Sequence, residues 1–334
     1  MDTLTHALSG ALLARATASE EPRAVPRRIA AGFFACAAPD LDFVFGYAGP
    51  VQYLLNHRGI THSLLLLPLW AFLVAWLLAK ILREPRGWRA LYGISALAIA
   101  AHIAGDVITS YGTMVLAPLS DWRAGIGTTF IIDPWFTGII LVGLLASAFL
   151  YRLRWPSVAA LALLTAYVGF QYVERTKALE FGEQYAKGLS GARVTAHPRP
   201  VSPFNWTVFV SDDEAHRFAH INLVKKEARP YRPGDGFIAR LQAPYLPLEQ
   251  AIWVTRPRYG YPPTQELVKD AWESPPLAFF RWFADLPAFD GFSKGSACAW
   301  FVDLRFLTPG RDTLPFRFGA CRDRDLTWRL SPPP

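Results

Sequence analysis

The sequence predicts an α-helical membrane domain of about five to six transmembrane helices, followed by a soluble, strand-rich domain of mostly β or α+β class. Of its 334 residues, 52% are hydrophobic and 18% are charged, which excludes intrinsic disorder. The mean hydropathy of +0.18 is high for a soluble enzyme. Long apolar blocks fill the first 174 positions. We therefore expect a membrane domain at 1–174, a connector at 175–203 and an extracytoplasmic strand-rich domain at 204–334.

Six apolar stretches are candidates for membrane spans. Four of them contain 18 to 21 residues, and a bilayer core requires roughly 20 residues of helix. These four are Leu64–Leu82, Leu91–Ile108, Phe130–Leu150 and Pro156–Val173. The other two are shorter: Leu4–Ala18, which is marginal, and Ile29–Phe45.

The basic residues in the short loops predict the orientation of these spans. With six spans, ten Lys and Arg residues fall on one side, and only Arg58 and Arg123 fall on the other. The side rich in Lys and Arg is expected to be cytoplasmic. The chain is then a multi-pass protein of a bacterial inner membrane, with loops 46–63 and 109–129 and all residues after 173 outside. If Leu4–Ala18 does not cross, only the N-terminus changes side.

The soluble half alternates short apolar runs with Pro, Gly and Asp, a pattern typical of strands. Thr264–Ala284 indicates a helix bent at Pro275–Pro276. Cys298 and Cys321 fall in two predicted strands, and they either form a disulfide or remain two buried thiols. The predicted strands are Trp206–Ser211, Arg217–Val224, Cys298–Phe306, Pro315–Cys321 and Leu326–Leu330.

Charge indicates the partners of the soluble half. Residues 175–334 carry 22 Lys and Arg against 17 Asp and Glu. Basic residues are not interleaved with aromatic ones in a stripe, so no nucleic acid is expected as a partner. The excess of positive charge favours a membrane lipid or an anionic substrate. The sequence does not indicate an oligomeric state.

Ionisable residues inside spans are costly, and here they form a pattern. The predicted topology places four His and four Asp at similar depth near the outer face. Imidazole and carboxylate groups are typical ligands of zinc, and they also suit manganese or iron. His102 and Asp106 are four residues apart and share a helix face. The predicted ligands of one or two divalent ions, most simply zinc, are His6, Asp40, Asp42, His57, His62, His102 and Asp106.

Three further roles complete the predicted site. Asp40 or Asp133 is expected to act as the general base, and the sequence does not choose between them. Arg58 is expected either to contact a substrate phosphate or to face lipid headgroups. Because eight polar residues exceed one tetrahedral site, the remainder would hold a second ion or orient the ligands of the first.

Several segments resemble one family. They are Met1–His6, Ala38–Asp42, His57–Ser63, His102–Asp106, Thr109–Thr113 with Pro118, and Ile132–Pro134. The sequence is similar there to the membrane-bound metal-dependent hydrolase family, the DUF457 or YdjM-like inner membrane proteins. Ser202–Trp206 and Val302–Phe306 resemble the longer members.

The resemblance implies a link to zinc-dependent phospholipase C and P1-type nucleases, with which the family has been compared. His6, Asp42 with His57, and His102 with Asp106 would fill the ligand positions of those enzymes. Those enzymes also have a later His and a His-x-x-x-Glu motif. After His102 this sequence has no His before His197, and it lacks the motif, so a full three-zinc site is not expected.

The leading hypothesis is a membrane-embedded metal-dependent hydrolase acting on a lipid-linked or phosphoester substrate. Intramembrane Asp and His also serve proton relays, so an ion-coupled carrier is an alternative. The gathering of the polar groups near one side, away from the midplane, weighs against it. A non-catalytic interaction protein with a structural metal is a third hypothesis. Structural zinc sites have four protein ligands, whereas catalytic sites keep a position open.

Overall fold

The structure, a computed structural model, describes residues 1–18, 25–293, 298–311 and 314–331. The chain divides into two compact units, Met1–Tyr172 and Val173–Pro334. The first unit is helical and the second is strand-rich. The predicted fold class, a helical N-terminal region followed by a strand-rich domain, is confirmed at this level.

Among the described residues of the first unit, seven α-helices start, and two 3-10 helices interrupt their order. The α-helices are α1 (Thr3–Ala16), α2 (Val25–Ala37), α3 (Pro50–Asn56), α4 (Leu67–Ile81), α5 (Arg89–Val107), α6 (Pro134–Phe149) and α7 (Trp155–Ala186), and the 3-10 helices are Ala38–Ala48 and Ile60–His62.

Three described helical stretches are long and apolar enough to cross a membrane: Val25–Ala48, α5 and α7. A fourth candidate is the pair Pro50–His62 and α4, which is bent by 85°. Helix α6 is apolar but has only 16 residues, and α1 has 14. The predicted count of five to six spans is therefore not confirmed.

Two predicted spans are interrupted for local reasons. In Ile29–Phe45 the α-helix ends at Ala37 and continues as a 3-10 helix, where Pro39 cannot donate a backbone hydrogen bond. In Leu64–Leu82 the hydroxyl of Ser63 accepts hydrogen bonds from the backbone N–H groups of Leu65 and Leu66. Helix α4 starts only after this turn.

Two other predicted spans have shifted ends. In Phe130–Leu150, helix α6 starts at Pro134 because the Asp133 carboxylate accepts the N–H groups of Trp135 and Phe136. Helix α7 has 32 residues and is about 48 Å long at 1.5 Å per residue, well beyond a hydrocarbon core of about 30 Å. It continues through the predicted domain boundary at residue 174.

Helices α1 and α2 meet at two glycines. A Cβ atom on Gly10 would lie 2.1 Å from the carbonyl oxygen of Gly32, and one on Gly32 would lie 2.4 Å from that of Gly10. Only residues without a side chain allow this approach. The sequence predicts that these two glycines pack helices closely, and this is confirmed.

The second unit contains nine strands and three short helices among its described residues. They are β1 (Arg193–Pro198), β2 (Asn205–Ser211), β3 (Ala215–Asn222), α8 (Phe237–Gln242), β4 (Leu246–Pro247), β5 (Val254–Pro257), α9 (Gln265–Glu273), α10 (Ala278–Phe283), β6 (Pro287–Phe292), β7 (Cys298–Asp303), β8 (Phe318–Arg322) and β9 (Trp328–Ser331). Short 3-10 helices lie at Leu248–Gln250, Pro275–Leu277 and Leu304–Phe306.

The strands form two sheets. The first has the order β1-β2-β3-β4, with β5 also paired to β3, and only the β3–β4 pairing is parallel. The second has the antiparallel order β6-β7-β8-β9. Phe209 and Phe218 of the first sheet pack with Ala288 and Val302 of the second in one buried cluster.

Residues 175–203, which the sequence indicates as a connector, contain the end of α7 and all of β1. Ala178 of α7 packs against Ala196 of β1 and Trp206 of β2, so the segment contributes to the core. Gly188, Gly191, Pro200 and Pro203 lie in the short turns around β1, whereas Gly182 lies in α7 and Pro198 ends β1. The strand predicted at Cys298–Phe306 ends at Asp303, whose carboxylate accepts the N–H of Arg305 and caps a 3-10 turn.

Cys298 and Cys321 are directly paired across β7 and β8 and form a disulfide. The structure therefore favours the disulfide over two separate buried thiols. Cys36 in the first unit is a buried free thiol, as expected for a packing residue.

Candidate metal centre

The 3-10 helix Ala38–Ala48 brings two carboxylates into the first unit. Asp40 and Asp42 are 8% and 2% exposed, whereas Leu41 and Phe43 are 62% and 50% exposed. The chain unwinds after Pro39, as the sequence predicts, and both carboxylates turn inward. The same segment therefore has a polar inner side and an apolar outer side.

Four side chains from three segments bring possible ligand atoms together, all within 4.8 Å of one another: Asp40, His62, His102 and Asp106. The Nε2 atom of His62 lies 2.9 Å from Nε2 of His102 and 3.1 Å from Oδ2 of Asp106. The Nε2 atom of His102 lies 3.5 Å from both Oδ1 of Asp40 and Oδ2 of Asp106. The Nε2 atom of His62 lies 3.9 Å from Oδ1 of Asp40.

These separations match one tetrahedral ion. Zinc–ligand bonds of about 2.0–2.2 Å place neighbouring ligand atoms of a tetrahedron about 3.3–3.5 Å apart. The five separations run from 2.9 to 3.9 Å, on both sides of that value. Two imidazoles and two carboxylates are also the donor set that zinc uses. The four ligand atoms therefore form a group that could hold one divalent ion.

Both histidines are held with Nε2 toward the other ligand atoms. The Nδ1–H of His102 donates to the carbonyl oxygen of Cys36 at 2.6 Å. The Nδ1 of His62 lies 2.9 Å from the hydroxyl of Thr61, which donates to Oδ2 of Asp42 at 3.0 Å. A partner on Nδ1 fixes the ring and leaves Nε2 as the basic nitrogen, which is the usual arrangement of metal-binding histidines.

Asp106 is buried completely, and its two oxygens differ. Oδ1 contacts the Met1 amine, Nε2 of His6 at 3.0 Å and the guanidinium of Arg58 at 2.8 Å. Oδ2 has no hydrogen-bond donor in the described part of the chain. A buried carboxylate oxygen without a donor is costly, and a cation at this position would satisfy it.

A second group of possible ligands shares one histidine with the first. His6, Cys36 and His102 are all buried, and their ligand atoms also lie within 4.8 Å of one another. The rings of His6 and His102 are stacked with centroids 3.7 Å apart. The predicted ligand His6 therefore lies beside the group of four, and it contacts that group through Asp106.

Asp42 and His57 lie on the far side of His62. The Nδ1 atom of His57 is 2.7 Å from Oδ1 of Asp42, and Asp42 also accepts the backbone N–H of Arg58 at 2.9 Å. Oδ2 of Asp42 is 3.4 Å from Nδ1 of His62. In this arrangement Asp42 orients a ligand. His57 contacts Asp42 and also the ring of His62, with the two ring centroids 6.3 Å apart. Their predicted role as direct ligands stays a prediction.

Arg58 is 1% exposed and lies among the predicted ligands. Besides Asp106, its guanidinium contacts the hydroxyl of Thr109 at 2.9 Å and the ring of Tyr111 at 4.8 Å. Its positive charge offsets one carboxylate of the centre. Substrate binding by Arg58 stays a prediction, and the structure shows the guanidinium paired to Asp106.

Asp133 lies outside the four-residue group. Its carboxylate caps α6 through Trp135 and Phe136 and accepts from the hydroxyl of Tyr167 at 3.0 Å and the amide of Gln171 at 2.9 Å. None of the described ligand residues donates to it. These bonds are those of a helix cap, and a role of Asp133 as general base stays a prediction.

Sequence reasoning missed three residues of the centre. Thr3 donates to Oδ2 of Asp40 at 2.6 Å, Thr61 joins His62 to Asp42, and the carbonyl of Cys36 orients His102. The only sequence signal was the proximity of both threonines to predicted ligands. A backbone carbonyl carries no signal at all.

Comparisons with known proteins place the N-terminal half of the chain in a family. The model of the YdjM inner membrane protein family matches residues 1–178, which include every residue of the centre. The uncharacterized protein YfhP of Bacillus subtilis is 28% identical over 178 residues, which are 52% of this chain and 53% of that protein. The chain thus spans about half the length of this relative. No solved structure matches the chain.

Proposed function

We propose that this chain, which belongs to the YdjM inner membrane protein family, is a membrane-embedded metal-dependent hydrolase. The convergence of Asp40, His62, His102 and Asp106 carries the proposal. His62, His102 and Asp106 would hold the ion, and Asp40 would stand beside the fourth position, which a catalytic site keeps open. Zinc is the ion that the donor set favours. When bound, it would polarise a scissile group and lower the pKa of water to about 7.

The protein's own residues would contribute position and charge. Asp42 and the Cys36 carbonyl hold the two histidine rings, and the guanidinium of Arg58 contacts Oδ1 of Asp106 at 2.8 Å. Of the two carboxylates predicted as the general base, Asp40 lies in the centre, whereas both oxygens of Asp133 accept bonds elsewhere. A base must reach the reacting atoms, so we favour Asp40.

The surface beside the centre supports a lipid-linked or amphiphilic substrate. The 3-10 helix that carries Asp40 exposes Leu41, Val44 and Tyr47 by 62%, 49% and 86%. Apolar side chains at this density are suited to contact with acyl chains. A substrate with its apolar part in the bilayer could present a polar ester or phosphoester to the centre.

The disulfide supports an extracytoplasmic second unit, because disulfides persist in oxidising compartments. This agrees with the orientation derived from Lys and Arg. Fusions of alkaline phosphatase and of green fluorescent protein after residue 334 test it. An active phosphatase with a dark fluorescent protein is expected, and the reverse pair would contradict the proposed orientation.

Metal content and hydrolysis are measured on one set of proteins. The full chain in mild detergent is expected to carry about one zinc by mass spectrometry, and a His62→Ala/His102→Ala double variant should carry none. His220→Ala in the second unit is the matched control and should keep the ion.

Activity is then assayed on phosphoester and lipid-linked substrates. Loss of hydrolysis together with the ion, with both kept in the control, supports the proposal. A bound ion without hydrolysis of any substrate would indicate a structural metal. Full hydrolysis by the ion-free double variant would overturn the assignment of the centre.

A further inference from the structure

The interior of the second unit contains a polar cluster that the proposed hydrolysis does not use. We infer that Arg199, His197 and Tyr245 form a binding site for a phosphate-type oxyanion. The inference stands apart from the proposed function, because the cluster shares no residue with the candidate metal centre.

Arg199 is a buried cation to which the described part of the chain offers no paired carboxylate. It is 4% exposed, its Nε–H donates to the hydroxyl of Thr207 at 2.5 Å, and Nη1 donates to the carbonyl oxygen of Arg305 at 3.0 Å. Its Nη2 has no acceptor among the described residues. No described carboxylate pairs with it, whereas the nearby Arg305 is paired with Asp285 and Asp303. An unpaired buried charge is strongly destabilising, so an anion is the expected partner.

Other polar atoms near Arg199 also lack partners. Tyr245 is 1% exposed, and its hydroxyl has no hydrogen bond to a described residue. The same is true of both ring nitrogens of His197 and of the Thr195 hydroxyl, which are buried. Thr195 and His197 are two residues apart on β1 and therefore lie on the same face of the sheet.

Direct contacts place these groups in one neighbourhood. The Thr207 hydroxyl that accepts from Arg199 is 2.8 Å from Nδ1 of His220, and the ring of His220 is 5.9 Å from that of Tyr245. Burial and then Arg199 lower the pKa of His197 well below its usual value, and they lower that of His220 to about 3. Burial lowers the pKa of Arg199 to about 10, which is still well above neutral pH. Arg199 is therefore the charged member of the set formed with His197, His220 and Tyr245.

The number of unmet donors selects the class of ligand. A guanidinium N–H, a phenol, an imidazole and a hydroxyl need several acceptor atoms. A phosphate group offers three or four oxygens and more than one negative charge, whereas a neutral carbonyl offers one oxygen and no charge. The net charge of +5 on residues 175–334 also favours an anion.

The two motifs of the soluble half hold Arg199 in place. The backbone N–H of Arg199 donates to the carbonyl of Asn205 in Ser202–Trp206 at 2.9 Å, and the amide of Asn205 donates to the carbonyl of Pro200 at 3.1 Å. Val302–Phe306 supplies the Arg305 carbonyl that accepts from Nη1. These motifs therefore act through the backbone and position the cation.

Calorimetric titration of the full chain with inorganic phosphate, at constant ionic strength and in neutral detergent, tests the site. Saturable binding at one phosphate per chain is expected. Tyr245→Phe removes a hydroxyl that has no hydrogen-bond partner among the described residues and should weaken binding about tenfold. Arg199→Gln should abolish binding. Arg240→Gln removes the same charge from an exposed position on α8 and should bind as the wild type does.

Two arms distinguish the source of the phosphate. Affinity for phosphate is compared in nanodiscs of phosphatidylcholine with and without phosphatidylglycerol. Competition by phosphatidylglycerol identifies a lipid headgroup as the ligand, and equal affinity identifies a soluble phosphate. If Arg199→Gln fails to fold, Tyr245→Phe decides. The inference is overturned if the wild type shows no saturable binding in any arm, or if Tyr245→Phe binds phosphate like the wild type.

Discussion

The contact between α1 and α2 makes Gly10→Ala a sharp test of how the candidate metal centre is built. A Cβ at Gly10 would lie 2.1 Å from the carbonyl oxygen of Gly32 and 2.4 Å from Cβ of Cys36. Both obstacles are backbone atoms or atoms fixed to the backbone, so no side chain can rotate away. An ordinary contact of 3.4 Å would require the helices to separate by about 1.3 Å.

This separation has an energetic and a chemical cost. Extra atoms in a tightly packed core typically cost about 1–3 kcal/mol. For a unit of this size, 1 kcal/mol lowers Tm by about 2–4 °C, so we expect a decrease of roughly 2–12 °C. Helix α1 carries His6, and α2 carries the Cys36 carbonyl that orients His102. The same displacement should therefore weaken retention of a bound ion.

The assay compares Gly10→Ala with Gly93→Ala. Gly93 lies in α5 at an exposed position, and a Cβ there meets no atom within 4 Å. Alanine at this position should stabilise the helix by up to about 1 kcal/mol. Tryptophan fluorescence on heating gives Tm in detergent, and mass spectrometry gives metal content. Equal Tm values for the two variants would refute the inference that α1 and α2 are in contact at these glycines.

Three further predictions concern the second unit. Asp303→Asn removes the charge that contacts two nitrogens of the buried Arg305 at 2.8 and 2.7 Å. We expect the free energy of unfolding to fall by about 3 kcal/mol or more, measured as a lower midpoint of urea unfolding. An unchanged midpoint would contradict this expectation. Replacing Cys298 and Cys321 by Ser removes a covalent link between residues 23 positions apart. The free energy of unfolding should fall by about 3 kcal/mol. A urea midpoint that the replacement does not change would argue against the disulfide. Because the folded-state pKa of His220 is lowered to about 3, the unfolded chain binds a proton that the folded chain does not between about pH 6.5 and 3. Stability should fall as the pH is lowered through this window, and His220→Gln should flatten the dependence; parallel profiles would exclude His220 as the cause.

Local patterns predicted the elements better than their ends. Runs of apolar residues located the long helices, and alternation located β2, β3, β7, β8 and β9. The end of α2 at Ala37 and the start of α4 at Leu67 depend on the geometry around Pro39 and Ser63. The sequence pattern did not indicate strand β1. Its central residues pack against a helix on one face and against polar side chains on the other, so apolar and polar residues alternate only weakly along it.

The sequence indicated which residues belong to the centre but not how they are arranged in space. The spacing of His102 and Asp106 on one helix was readable, because i and i+4 share a face. The approach of His62 to Asp40 is a contact between two separate 3-10 helices, Ala38–Ala48 and Ile60–His62, and sequence spacing does not encode such a contact. Asp133 has the same chemistry and similar predicted depth, yet only the structure places it at the cap of α6.

One residue of the centre combines two opposing demands. Arg58 has φ of 59°, in the left-handed region that glycine adopts freely. A non-glycine residue pays about 1–2 kcal/mol for this conformation. Glycine at position 58 would relieve that strain and at the same time leave Asp106 without its guanidinium. Breaking a buried ion pair costs about 3–5 kcal/mol, which exceeds the strain that glycine would relieve, so selection for stability and selection for the centre should both retain Arg58. A saturation library at this single codon, sorted once by thermal survival and once by metal content, should enrich arginine in both sorts. Enrichment of glycine by thermal survival would show that the strain outweighs the ion pair.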